Sequence, residues 1–287
     1  MNSKHCRIFV FLVYSSLSSA FFLFALTVFG FPIGPANNVV MISGWVLFCV
    51  WSGPYLTEYS IFRHGKIRKP ILEEESKMQP LMMEVQQRSR FPRPLRLLII
   101  EEDAIDAYSI GMRTIVISKS MIQLFLPDEL RGMIAHEMGH LKSSDRKVGM
   151  AFNTAVGFSE RIHRLCLRFV FLLSMIGIVL FTMRYIGSGL FNLWPIVIIP
   201  IYLIIYPRFH HLILFCWRAI NRHRKYQHDE FAYSLGYGPD LLNFLCRLTV
   251  NAEMPVNTYQ TIKESNYPVI YNRIRHLEKL LGLRDGD

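Results

Sequence analysis

Residues 8–31 carry no charged side chain, and no other feature limits the possible folds of this chain as much. A helix rises about 1.5 Å per residue, so a run of this length reaches across the roughly 30 Å hydrocarbon core of a bilayer. Lys4 and Arg7 precede it, as they would a secretory leader. The run is long for the apolar part of a leader, and a second run, Val39–Leu56, follows at once. Residues 8–31 are therefore expected to be a retained membrane helix. The second run offers Trp45, Trp51 and Tyr55 as anchors at the bilayer interface. Two later runs are shorter. Residues 169–183 lie uncharged between Arg168 and Arg184, about 22 Å of helix. Residues 191–206 include Pro195 and Pro200. Both are expected to span, with Arg side chains snorkelling to the interface. A re-entrant hairpin, or embedded helices packed on a domain, are the alternatives.

The basic residues cluster beside these runs. Arg63, Lys66, Arg68 and Lys69 follow the second, and Arg161, Arg164 and Arg168 precede the third. Arg218, Arg222, Arg224 and Lys225 follow the fourth. The connections 32–38 and 184–190 hold Arg184 alone among charged residues. By the positive-inside rule the termini and both polar segments face the cytoplasm. Membrane topology thus accounts for the net charge of +10. No nucleic-acid recognition motif is present, so nucleic acid is not an expected partner, whereas the lipid bilayer is. The cysteines are odd in number and scattered, which excludes a disulfide framework and a cysteine-based zinc site.

The charged segment between the second and third runs is long enough to fold. Ile71–Arg88 reads as a helix and Arg96–Glu101 as a buried strand. Ala107–Ile110 and Thr114–Ser118 read as two short strands around Gly111. Ser118 or Ser120 caps a short helix ending near Phe125, and Pro127 opens the next. That helix carries His136-Glu137-Met138-Gly139-His140. Residues four apart share a helix face, so His136 and His140 can offer imidazoles to one ion. Neutral imidazole suits Zn²⁺, and bound Zn²⁺ lowers the pKa of its water to about 7. One zinc per chain is the expected cofactor. Glu137, one step round, is placed as the general base for that water. Gly139 costs the helix about 1 kcal/mol relative to Ala, which makes sense where another group must approach closely. The bland alternative is a surface helix with two solvated histidines, and the apolar face of Leu130, Met133 and Ile134 argues against it. The strand Tyr108, Ser109 and Ile110 is expected to hold an extended polypeptide substrate by strand addition.

These features resemble the HtpX-like membrane zinc endopeptidases, relatives of the prenyl-protein proteases. Asp128-Glu129-Leu130 leading into Ile134-Ala135-His136-Glu137 resembles that family's approach to its motif. Asp145 falls five residues after His140, where the family has an Asp. Asp106-Ala107-Tyr108 resembles its Asn-Ala-aromatic strand, with Asp in place of Asn. Pro268, Arg273-Ile274 and Leu277-Glu278 resemble its closing stretch. The resemblance covers nearly the whole chain. It implies an α-rich integral membrane protein with four hydrophobic helical segments and a zincin-like α+β protease domain, a small sheet plus the H-E-x-x-H helix. The implied division is 1–60 for two membrane helices and 61–164 for the cytoplasmic domain with the motif. Residues 165–217 would then form two further membrane segments, and 218–287 a helical part that completes the metal site. The implied activity is hydrolysis of misfolded or unassembled membrane proteins at the bacterial inner membrane.

The family's third zinc ligand is a Glu in a run E-x-x-A-D-x-x-A with Leu-Gly beyond it. Here Asp229, Ala232, Leu235 and Gly236 set the register and put Lys225 where that Glu belongs. A protonated lysine has no lone pair to offer. The third ligand is expected one turn on, at His228, with Asp229 and Glu230 as alternatives. If His228 ligates, Asp229 is free to hold a ligand histidine from behind, with Asp145 in a similar supporting role. The alternative function is a catalytically inactive membrane scaffold or regulator, and Lys225 is the residue that favours it. Tyr233 and Tyr237 are candidate oxyanion donors.

Overall fold

Every residue of Thr114–Ser118 is buried, so this strand lies inside a sheet and the others are ordered around it. The computed structural model describes residues 5–16, 35–62, 66–102, 104–143, 146–184, 194–251 and 270–283. Helix α1 covers residues 5–16 and α2 covers Pro35–Phe62. Then come β1 (Ile67–Arg68), α3 (Leu72–Ser89), β2 (Arg96–Ile100), β3 (Ala107–Ile110) and β4 (Thr114–Ser118). The chain continues with α4 (Lys119–Leu124), α5 (Pro127–Lys142), α6 (Arg146–Arg184), α7 (Trp194–Ser234), α8 (Gly238–Asn251) and α9 (Ile270–Leu280). The elements expected between residues 71 and 127 are found within a residue of their expected ends.

The sheet order is β1-β2-β4-β3. β2 and β4 run parallel, pairing Leu97 with Ile115 and Ile99 with Ile117. β3 folds back antiparallel on β4 around Gly111, whose φ of 54° lies in the left-handed region that glycine adopts without strain. β3 is thereby left at the sheet edge. Side chains alternate across the sheet, so Ile99, Ile115 and Ile117 face one core while Leu98, Ile110 and Val116 form a smaller one behind. The larger core takes Leu130, Ile134 and Met138 from α5, spaced four apart on one face. It also takes Met78, Met82 and Val85 from α3, Leu241 and Phe244 from α8, and Leu277 from α9. Each such side chain, fully buried, contributes about 1.5–3 kcal/mol.

The crossing of α5 and α8 depends on Gly132. A Cβ there would lie 2.6 Å from the carbonyl carbon of Asp240 and 2.7 Å from Leu241 Cα, against backbone that cannot swing aside. Gly132→Ala is therefore expected to destabilise the protein by about 1–3 kcal/mol despite the better helix propensity of Ala. Thermal unfolding checks this, and an unchanged midpoint would contradict so close a crossing.

A second core joins Phe11 and Tyr14 of α1, Cys49 of α2, Ala151, Phe152 and Ala155 of α6, and Ile213 and Trp217 of α7. Phe152 stacks on Trp217 with ring centroids 3.7 Å apart. α6 and α7 are continuous helices of 39 and 41 residues. The division expected at 164/165 and 217/218 therefore falls inside single helices, because no breaker interrupts them there. α7 serves both cores, with Trp217 in one and Ala232 in the other.

The described residues do not bear out the expectation of four membrane-crossing helices. No helix among the described residues is long and apolar enough to cross a membrane. In α2 the apolar residues are diluted by Ser43, Gly44, Ser52, Gly53 and Pro54. Most of the first run, residues 17–31, lies outside the described residues. The third run is a stretch of α6, and residues 194–206 of the fourth belong to α7.

Candidate metal centre

The motif helix is held at its start by Pro127 and Glu129, with Arg247 reaching in from α8. Pro127 takes the first helical position, where its missing N–H costs nothing. The Leu126 N–H donates to Glu129 Oε2 at 2.7 Å, and Arg247 Nη1 donates to the same oxygen at 3.1 Å. From there α5 runs buried through the motif. His136 and Glu137 are buried and His140 is half-buried. One potential ligand atom from each of the three lies within 4.8 Å of the other two.

Behind this group stands an ion pair. His136 Nδ1 is 2.7 Å from Asp229 Oδ1. Arg273 grips the same carboxylate twice, donating from Nε to Oδ2 at 2.8 Å and from Nη2 to Oδ1 at 2.6 Å. Burial alone would raise the Asp229 carboxyl, but Arg273 and His136 outweigh it and hold the group well below the usual carboxylate range. An ionised carboxylate only accepts, so His136 Nδ1 carries the proton and donates it. Arg273 Nη2 also lies 3.3 Å from Nδ1. That is a meeting of two donors, and the shorter contact to Asp229 decides the tautomer. His136 Nε2 keeps its lone pair on the cleft side.

His228 reaches the same place from α7. Its ring centroid is 3.9 Å from that of His140 and 5.9 Å from that of His136. Its Nε2 is buried and makes no hydrogen bond. A Cβ on Gly139 would lie 3.1 Å from His228 Nδ1 and 3.2 Å from His228 Cβ, so the glycine gives this side chain room to lie close against the helix. Burial first, and neighbouring histidines second, hold His140 well below its ordinary value and push His228 down to about 2. Both imidazoles are thus neutral, the form that binds a metal.

Asp106, Tyr108, Glu137 and Lys225 line one cleft of about 760 Å³ with the two motif histidines. Burial, then the Arg273 charge, pushes Lys225 down to about 7 against the pull of Glu137, Asp229 and Asp106. Burial, then the Glu137 charge, pushes Asp106 up to about 6. Ser109 also lines the cleft, whereas Ile110 is turned into the small core behind the sheet. Arg146 ties the edge strand down, donating from Nη1 to Ser109 Oγ at 3.1 Å and from Nε to the Gly111 carbonyl.

Some expected site residues lie elsewhere. Glu230 faces outward, where His276 Nε2 is 3.1 Å from its Oε1, because one further helical residue carries it past the buried face. It is therefore no candidate ligand. Asp145 is outside the described residues. The Tyr237 hydroxyl donates to Glu84 Oε1 at 3.1 Å and Tyr233 is exposed, so neither is an oxyanion donor in the cleft. Arg273 escaped the sequence reading as a site residue. It meets Asp229 across 44 positions, and no local pattern announces such a pairing. The donor set fits a zinc ion: two motif imidazoles, one of them oriented by Asp229, a carboxylate beside them, and a buried ring nitrogen without a hydrogen-bond partner.

The profile of Peptidase family M48 matches residues 73–281. A protease HtpX homolog of Bacteroides fragilis (strain YCH46) is 29% identical over 140 residues, covering 47% of this chain and 43% of that protein. One of Thermoplasma acidophilum is 28% identical over 103 residues, covering 34% of this chain and 32% of that protein. The chain thus spans less than half the length of these curated relatives. The crystal structure of S. mikatae Ste24p is similar with a TM-score of 0.49 at 19% identity, covering 85% of this chain and 58% of that one.

Proposed function

The chain belongs to peptidase family M48, and from that premise we propose that it is a zinc-dependent endopeptidase acting on membrane proteins, in a quality-control role. One observation carries the proposal. The His136–Asp229 hydrogen bond sets the tautomer that leaves His136 Nε2 as a donor beside His140 and Glu137. His136 and His140 would hold Zn²⁺, which when bound supplies a Lewis acid that acidifies water and polarises a scissile carbonyl. Glu137 takes the proton of the attacking water and passes it to the leaving amine. β3, whose outer edge pairs with no strand among the described residues, takes the extended substrate as an added strand, and Tyr108 and Ser109 border its path.

The membrane part of the proposal is supported by apolar exposure. Phe9 on α1, Val40, Leu47, Trp51 and Tyr55 on α2, and Leu212 and Phe215 on α7 are all exposed. Large uncovered apolar surface marks a membrane or partner contact. The charge bias along the chain puts the site on the cytoplasmic side.

Protein purified in detergent is expected to hydrolyse labelled casein. 1,10-phenanthroline should abolish the cleavage and added Zn²⁺ restore it. Cleavage that persists unchanged with the chelator rules out the zinc reading. The second reading, an inactive membrane scaffold, is favoured by Lys225 in the cleft. Protein that cleaves nothing with or without added Zn²⁺ would move the balance to it.

A further inference from the structure

Two motif histidines do not make a closed set of protein ligands, and Lys225 stands where the resemblance expects the third. We infer that His228 is that third ligand, so that three imidazoles, those of His136, His140 and His228, hold the ion. The inference rests on the metallopeptidase reading and adds the donor set to it.

The first support is the orphaned nitrogen. His228 is 5% exposed and its Nε2 has no hydrogen-bond partner. An unsatisfied buried polar atom is costly, and a metal ion is a partner that removes the cost. The second is position. A Zn–N distance of about 2.0–2.1 Å and tetrahedral angles put imidazole centroids about 5 Å apart. The three rings stand 5.1, 5.9 and 3.9 Å apart. The His140–His228 spacing is the short one, and His228 is not among the donor atoms grouped within 4.8 Å. Loading therefore involves a turn of the His228 ring away from His140 and toward His136. The third is elimination among the neighbouring donors of α7. Both Asp229 oxygens are engaged by Arg273, one of them also by His136, and Glu230 faces His276 at the surface. The fourth is Gly139, the residue that lets the His228 side chain lie directly on the motif helix.

The consequence is electrostatic. Three neutral donors leave the charge of the ion uncompensated. A substrate carbonyl oxygen there meets more positive charge than beside a carboxylate-ligated ion.

Co²⁺ titration of the full chain in detergent, followed by visible absorption, tests the assignment. The wild type is expected to take up about one Co²⁺ with intense tetrahedral bands. His228→Ala should weaken Co²⁺ binding by on the order of 100-fold or more and lose those bands, as His136→Ala should. His228→Ala with wild-type affinity and spectrum overturns the inference and leaves the metallopeptidase reading standing. X-ray absorption of the zinc-loaded wild type decides the matter without any variant, should His228→Ala fail to fold. Three imidazoles on zinc are expected, and two overturn the inference. Wild type that binds neither Co²⁺ nor Zn²⁺ overturns both readings.

Discussion

Glu137→Gln is expected to lower kcat for casein hydrolysis by about 10²- to 10⁴-fold while the zinc content stays that of the wild type. The amide keeps the size and shape of the carboxylate but cannot take a proton from water. Glu137 is buried at the cleft wall, and its carboxylate lies close enough to the His136 and His140 ligand atoms to serve a water between them. The same closeness admits another role, in which Glu137 itself ligates. Measuring kcat and zinc by mass spectrometry on the same preparation separates the two. Loss of zinc in step with loss of rate would make Glu137 a ligand and remove it as the base.

Arg273→Ala is expected to destabilise the protein by about 3–5 kcal/mol, because it strips the fully buried Asp229 carboxylate of the guanidinium that grips both its oxygens. Chemical denaturation in detergent measures the loss. The pH dependence follows from the sign of the Asp229 shift, which is downward on folding. A carboxyl lowered by folding contributes stability that is complete above its unfolded value of about 3.9 and is lost as pH falls through the folded value. The wild type should therefore lose stability below about pH 4, and Arg273→Ala should lose less over that range because less was gained. Equal acid sensitivity in both proteins would show that the Asp229–Arg273 pair contributes little. The variant should also bind zinc more weakly, since Asp229 then sits less firmly behind His136.

Much of the geometry around the motif was readable in advance because the relevant physics is local. Pro127 and the carboxylate of Glu129 start α5 where the sequence says it starts, and helical geometry brings His136 and His140 to one side. The strands on either side of Gly111 follow from alternation and a residue that accepts positive φ. The apolar runs were less informative. Their described parts became stretches of α1, α2, α6 and α7, and hydropathy alone says nothing of where a helix continues into the next core. α7 runs from Trp194 to Ser234, through both the expected membrane segment and the expected ligand region.

The sequence by itself determined the H-E-x-x-H helix, the short strands beside it and the lysine at the third-ligand position, because each depends on neighbours within a few residues. Only the tertiary structure decided what stands around them. Arg273 reaches Asp229 from α9, and His228 lies on Gly139 although 89 positions separate them (228 less 139). Glu230 and His228 differ by two residues on one helix, about 200° of rotation, so one is exposed and the other buried once α7 has docked. Helical period predicts that such residues point apart, but the direction of the core is set by packing between elements distant in sequence.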